Sequence, residues 1–304
     1  MALVASAVNL RLYADGLYFG ESPRWQAGKL YISDMIGRKI YVIDASGRKE
    51  VLLEVENQPN GLGFMSDGSL IYSSMFNAKL YQYKEGQSQL YADLSSVMTG
   101  YCGDMVIDAE DRVYMDDTGA RVLHGEKPCP GRLLLVDTDH TITSVAENLV
   151  FPNGIGIDNQ GKHLYISETF SYQLDRFDLA GDGKLLNRTV CWDTHELATA
   201  TGREFNRFCG VDGLCIDAED GIWLSMLGYH TFIRKDAQGN ITHRIDVDGD
   251  ATACTLGGED GKTLYLVVNK VPEGMDLFDA MVNKLTKCTI YTVTVDIGRG
   301  SARP

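Results

Sequence analysis

PNGIGIDNQGKHLYISE (152–168) and VDGLCIDAEDGIWLSM (211–226) decide the fold, because the two stretches run in step. Each places Asn153 or Asp212 at its opening, passes through a short apolar run into a turn bearing Gly or Asp, and ends in a strand-like run. GESPRWQAGKLYISD (20–34) repeats the order with Glu21 in the matching place. Three more copies follow the same plan: PNGLGFMSDGSLIYSS (59–74), CGDMVIDAEDRVYMDD (102–117) and ACTLGGEDGKTLYLVV (253–268). The anchors Glu21, Asn60, Gly103, Asn153, Asp212 and Cys254 are spaced by 39, 43, 50, 59 and 42 residues. That period belongs to four-stranded propeller blades and not to short helical repeats.

Outward from each copy, the rest of a blade is legible. A third apolar run ending in an acidic turn follows the first two (39–48, 79–87, 132–141, 174–184, 231–240), and a fourth follows at 50–55 and 89–94. Alternation bounded by Asp and Gly turns is the mark of half-buried antiparallel strands. LRLYADGLYFGE (10–21) reads as a fourth strand leading into a first, and CTIYTVTVDI (288–297) as a last third strand. The expected fold is therefore an all-β, six-bladed propeller, its ring closed by the N-terminal strand pairing in the C-terminal blade so that no long sheet edge is left free. Residues 274–287 form the one segment with helical spacing, and a short surface helix is expected there. No linker or charge block interrupts the repeats, so residues 1–304 read as a single domain.

The composition narrows the partners. A net charge of −14 disfavours nucleic acid and anionic membranes, which would repel such a surface. Seven cysteines form no CxxC pair, so neither a zinc knuckle nor a redox motif is visible, and most read as small buried hydrophobes of a reducing compartment. The opening MALVASAVNL lacks a basic region and a sufficient apolar core for a signal peptide, and no stretch reaches the length of a membrane span. A cytoplasmic protein is expected, monomeric because a closed ring needs no partner to cover its edges.

The first strand of every blade lines the central channel, so residues at the starts of those strands converge at one mouth. Glu21, Asn60, Asp104, Asn153 and Asp212 would form that ring. Carboxylate and amide oxygens gathered in a desolvated channel can hold a hard cation, and the donor set suits calcium; magnesium or manganese takes similar ligands, and zinc is less natural without Cys or His in phase. The same residue types also cap turns between blades, which is the bland reading, above all for Asn60 and Asp104. Loops at 95–103, 118–131, 193–210 and 272–287 open toward the same mouth and are expected to wall it. Tyr101, Phe151, Phe170, Tyr172, Phe205, Phe208, Tyr229 and Phe278 lie in or beside those loops, although aromatics are also ordinary core. His230 and His124 sit in loops from which a general base could reach the site, a place where a solvated histidine is equally at home.

At GESPRW around Glu21, FPNGIGID around Asn153, VDGLCIDAEDGIWLS around Asp212 and CTLGGEDGKTLYLV near the C-terminus, the chain resembles the senescence marker protein, gluconolactonase and luciferin-regenerating enzyme family, the regucalcin-like propellers. The resemblance covers nearly the whole chain. It implies one divalent cation in the channel, held by the residues matching Glu21, Asn153 and Asp212, and lactone hydrolysis as an activity of many members. A cation there would polarise an ester carbonyl and activate water, with Asp212 as ligand and proton acceptor and Glu21 beside it. No GxSxG elbow is present, so a covalent nucleophile is disfavoured. One departure bears on the substrate. Sugar-lactone members carry Arg-Xaa-Asn-Asp-Gly where this chain has Tyr101-Cys102-Gly103-Asp104-Met105, so the expected contacts are Asn60, Tyr101, Cys102, Asp104, Phe170, Tyr229 and His230 around a small, apolar or aromatic cyclic ester. Lyase or condensation chemistry on the same scaffold, and a non-catalytic calcium- or ligand-binding role, are the competing readings.

Overall fold

The computed structural model describes residues 9–196 and 210–304. Strands numbered in chain order form six four-stranded antiparallel sheets among these residues. Their innermost strands are β2 (Gly20–Gln26), β6 (Pro59–Phe64), β10 (Cys102–Ile107), β14 (Pro152–Ile157), β18 (Gly210–Ile216) and β22 (Asp250–Gly257). Each packs on the next and β22 on β2, so the sheets close into a six-bladed propeller. The sixth sheet is completed by β1 (Arg11–Leu17), which pairs antiparallel with β24 (Lys287–Thr294) from Arg11 opposite Thr292 to Leu17 opposite Cys288. This is the closure expected from the sequence, and it ties the two ends of the ring together through backbone hydrogen bonds.

The core lies between blades. Leu62, Tyr72 and Ile40 pack across one blade boundary, and Cys215, Trp223, Cys254 and Leu266 across another. Removing such side chains from water is the main favourable term of the fold. Cys102, Cys215, Cys254 and Cys288 are buried, in keeping with small hydrophobes.

The recurring Asn-Gly and Asp-Gly pairs have a different cause from hairpin turns. Every inner strand loses register with its neighbour at one place: between Glu21 and Arg24, Pro59 and Leu62, Cys102 and Met105, Pro152 and Ile155, Val211 and Leu214, and Ala251 and Ala253. A bulge leaves a residue outside the ladder and re-aims its side chain. The residue after the anchor then meets the next blade's backbone: a Cβ on Gly154 would lie 2.6 Å from the Asp212 carbonyl oxygen. This register also corrects two assignments. In the sixth blade the bulge falls at Thr252, so Cys254 lies past it, buried against Cys215. In the third blade the anchor is Gly103, and Asp104 stands at the place of Gly61, Gly154 and Gly213, one residue out of phase.

The expected surface helix is α1 (Leu277–Val282), with the Asp276 side chain accepting from the N–H groups of Phe278 and Asp279 as its N-cap. At the opposite end of the channel, residues 298–303 cross the ring: Arg303 bridges to Ile157, and Ser301 donates to the Asn159 carbonyl. No helix among the described residues is long and apolar enough to cross a membrane.

Candidate functional site

The bulges of β2, β14 and β18 bring Glu21, Asn153 and Asp212 to the wall of one cavity at the channel mouth. Asp212 is almost fully buried, and its Oδ1 has no hydrogen-bond partner among the described residues. The Asn153 amide donates to Thr169 Oγ1 at 3.3 Å, and Thr169 Oγ1 donates in turn to the Val211 carbonyl at 2.9 Å, which fixes the amide against the Asp212 strand.

Both carboxyl groups are held well above the usual carboxylate range. For Glu21 the cause is burial, followed by the negative charges of Asp212 and Asp104; for Asp212 it is burial, followed by Asp104 and Asp250. A buried and a half-buried carboxylate on one cavity wall are costly unless protons or a cation offset them. Among the described residues no group of three or more His, Cys, Asp or Glu side chains gathers as a metal cluster. The donor set here is two carboxylates and an amide, all hard oxygens.

Around this polar floor the cavity is apolar. Phe19, Met35, Met75, Phe151, Phe170 and Leu227 form much of the wall. Phe151 and Phe170 meet edge to face with centroids 4.9 Å apart. The outer rim comes from two long connections: Val122 and Leu123 from 118–131, and Leu277, Phe278 and Met281 from α1. Residues 197–209, which include Phe205 and Phe208 of the expected wall at 193–210, lie outside the described residues.

Three of the expected substrate contacts line the cavity: Asn60, Tyr101 and Phe170. Asn60 turns its Nδ2 toward the sulfurs of Met35 and Met75, each at 3.8 Å. Tyr101 is buried, and burial pushes its phenol up to about 12; its hydroxyl is hydrogen-bonded with Nδ1 of His124 at 2.5 Å. Phe76 meets the His124 ring edge to face at 5.0 Å and the Tyr101 ring at a tilt at 5.3 Å, centroid to centroid, so the three rings pack as one group that ties His124 to Tyr101.

The other four do not reach the cavity. Cys102 points into the core beside Ile71 and Leu80, its thiol 3.6 Å from the Ser74 carbonyl. Asp104, out of phase, is turned away from the mouth and bound by Ser22 at 2.8 Å and Arg24 at 2.7 Å. Tyr229 is buried with Leu174, Trp192 and Val211 between blades. His230 faces outward, with Nε2 3.4 Å from Asp250 Oδ1. In each case the side chain's direction along its strand or turn, which proximity in sequence does not reveal, decides the outcome.

The cavity also contains a carboxyl group outside the expected set. Asp116, on β11 (Val113–Asp117), lines it beside Gly103. Its signal in the sequence is a break in the repeat: Ser33, Ser73, Ser167 and Ser225 occupy the matching place in four other blades.

The fold and site together define a six-bladed propeller with an oxygen-donor set at the mouth of its channel. Residues 19–270 match the family described as "SMP-30/Gluconolactonase/LRE-like region", and the chain belongs to that family. Lactonase drp35 of Staphylococcus epidermidis is 28% identical over 181 residues, covering 57% of this chain and 52% of that protein, so the chain spans about half the length of this lactonase. Regucalcin of Gallus gallus is 24% identical over 286 residues, covering 89% of each. A luciferin-regenerating enzyme structure superposes with a TM-score of 0.80 over 96% of this chain and 97% of that one, at 15% identity, a likeness of fold.

Proposed function

We propose that this protein is a hydrolase that opens small, apolar or aromatic lactones with the help of one divalent cation, calcium by its donor chemistry. The observation that carries this reading is the Asp212 Oδ1 atom, a buried oxygen without a hydrogen-bond partner among the described residues, on a cavity wall shared with Glu21 and Asn153. Leaving a buried acceptor unsatisfied costs about 1–3 kcal/mol, and more for a charged group, so the atom calls for a partner. Two carboxylates and an amide oxygen fit a hard cation, and Glu21, Asn153 and Asp212 would hold it. When bound, such a cation supplies positive charge that polarises a carbonyl and eases deprotonation of water. The names of the lactonase and regucalcin relatives support the reaction class and the choice of metal.

The chain's own groups then divide the work. Asp212 accepts the proton of the attacking water, Glu21 adds the second negative charge of the set, and Asn153 is kept in place by Thr169. The Phe and Met wall excludes water, which strengthens every charge interaction inside. That wall also selects substrate. A polyhydroxylated lactone would leave its hydroxyls unpaired against thioethers and rings, whereas an alkyl or aryl lactone would not.

Hydrolysis of sugar, alkyl and aryl lactones, followed by pH-stat with calcium, magnesium, manganese or zinc and after chelation, tests the reading. Turnover that is lost on chelation, returns with metal and favours the apolar lactones is expected. No turnover on any lactone by protein that binds calcium would replace it with a binding role or another reaction.

A further inference from the structure

Asp116 stands where the repeat places serine. In three of the other blades that serine is a brace: Ser33 Oγ donates to the Asn60 carbonyl at 2.6 Å, Ser73 Oγ to the Gly103 carbonyl at 3.2 Å and Ser167 Oγ to the Asp212 carbonyl at 2.7 Å, each reaching the inner strand of the next blade. Asp116 instead turns to its own inner strand. Its Oδ1 accepts from Gly103 N–H at 2.6 Å and its Oδ2 from Asp104 N–H at 2.9 Å. The space comes from Gly103, because a Cβ there would lie 2.7 Å from Oδ1 and 2.8 Å from Oδ2. A glycine at the anchor and an acid opposite it thus exchange roles, and the third blade delivers its polar group from the second strand. The Asp116 side chain is 1% exposed, lines the same cavity as Glu21 and Asp212, and meets neither a Lys nor an Arg within ion-pair distance among the described residues.

Resting on the lactone-hydrolase reading, we infer that Asp116 is a second catalytic residue, a neutral carboxylic acid that protonates the leaving ring oxygen. Burial, with the negative charge of Asp104 next, raises this carboxyl well above the usual range against the opposing pull of the Gly103 and Asp104 N–H groups, in agreement with that state. The protons balance. Water adds to the carbonyl carbon and gives one proton to Asp212. The ring C–O bond then breaks with its electron pair on the ring oxygen, Asp116 gives that oxygen its proton, and the product is a hydroxy acid. The Asp116 carboxylate left behind is held by the Gly103 and Asp104 N–H groups until the proton from the Asp212 side returns to it through solvent.

Leaving-group dependence is the discriminating test. An aryl lactone releases a phenolate that needs little help, whereas an alkyl lactone releases an alkoxide that needs a proton. Asp116→Asn is expected to lower kcat on an alkyl lactone by about 10²–10⁴, the usual worth of a general acid, and to leave the aryl lactone little changed. Gly103→Ala, which crowds the carboxyl, should show the same bias in milder form and guards against misfolding of the first variant. Equal losses on both substrates, or none, would overturn the inference. A readout independent of turnover is the infrared carbonyl band of a protonated carboxyl near neutral pH, present in the wild type and missing in Asp116→Asn. Absence of that band overturns the assignment whichever lactone is opened. A band in protein that opens no lactone would support the neutral acid and sink the hydrolase reading alone.

Discussion

Arg24 and Asp104 form a buried ion pair beneath the cavity, with Nη2 2.7 Å from Oδ1 and side chains only 7% and 10% exposed. The same guanidinium donates to the carbonyls of Leu62 and Met105, so one side chain stitches the inner strands of three successive blades together. Arg24→Gln leaves Asp104 as an uncompensated buried charge. A loss of about 3–5 kcal/mol is expected, read from the urea midpoint, with Arg24→Gln/Asp104→Asn recovering part of it. An unchanged midpoint would show that the pair does not hold the ring.

Burial and then the charge of Asp212 raise the proton affinity of Glu21, while burial and the charges of Asp104 and Asp250 raise that of Asp212. Asp212→Asn removes one member of that repulsive set. Protein freed of metal should therefore melt higher in the Asn variant than in the wild type, while the rise in Tm on adding calcium should shrink or vanish. In the wild type, calcium at a hundredfold over its Kd adds about 2.7 kcal/mol by mass action. A calcium shift as large in Asp212→Asn as in the wild type would remove Asp212 from the ligand set.

Much of this was readable from the repeat, and its failures have one physical origin. Strand order, ring closure and the convergence of Glu21, Asn153 and Asp212 follow from the period of the copies, because a period fixes which strand is innermost. Which residue of a copy faces the channel depends on the bulge, and a slip of one residue reverses a side chain. That slip separates Asp104 from its expected place and Thr252 from Cys254. Tyr229 and His230 lie beside a mouth-side turn, but the chain direction there buries one between blades and points the other at Asp250. Asp116 was present as an acid in a serine phase, in VYMDD against LYISE and LIYSS, a signal carried by the second strand of the repeat instead of the first.

Arg188 spans two buried carboxyl groups of the fourth blade, Glu168 and Asp175, and donates to both. Asp175 is pushed up to about 6, first by burial and then by its hydrogen bond with Glu168, with Arg188 pulling the other way. Its folded pKa lies above the ordinary 3.8, so the folded state holds the extra proton between those values. Its contribution to stability is full below that window and is lost as pH rises through about 6. Comparing urea midpoints of wild type and Asp175→Asn at pH 4 and pH 7 isolates the group. The wild type should lose stability relative to the variant on going to pH 7, and the opposite trend would refute the raised pKa.

Phe278 reaches the rim from α1, where it lies 6.5 Å, centroid to centroid, from Phe170 and packs in the cluster that holds Tyr101 and Met281. The helix has six residues and too little length to stand by its own propensity, so its place depends on that packing and on the Asp276 cap. Two variants separate wall from scaffold. Phe278→Ala deletes the ring, and KM for an aryl lactone should rise about tenfold or more with kcat changed less, since a rim contact binds ground and transition states alike. Asp276→Ala leaves every cavity side chain in place but costs the helix about 1 kcal/mol, and KM should move in the same direction by a smaller factor. Steady-state kinetics on paired aryl and alkyl lactones decide the matter. If Phe278→Ala alters kcat alone, or if both lactones respond equally, then α1 shapes the reacting groups and is no selective wall for aromatic substrate.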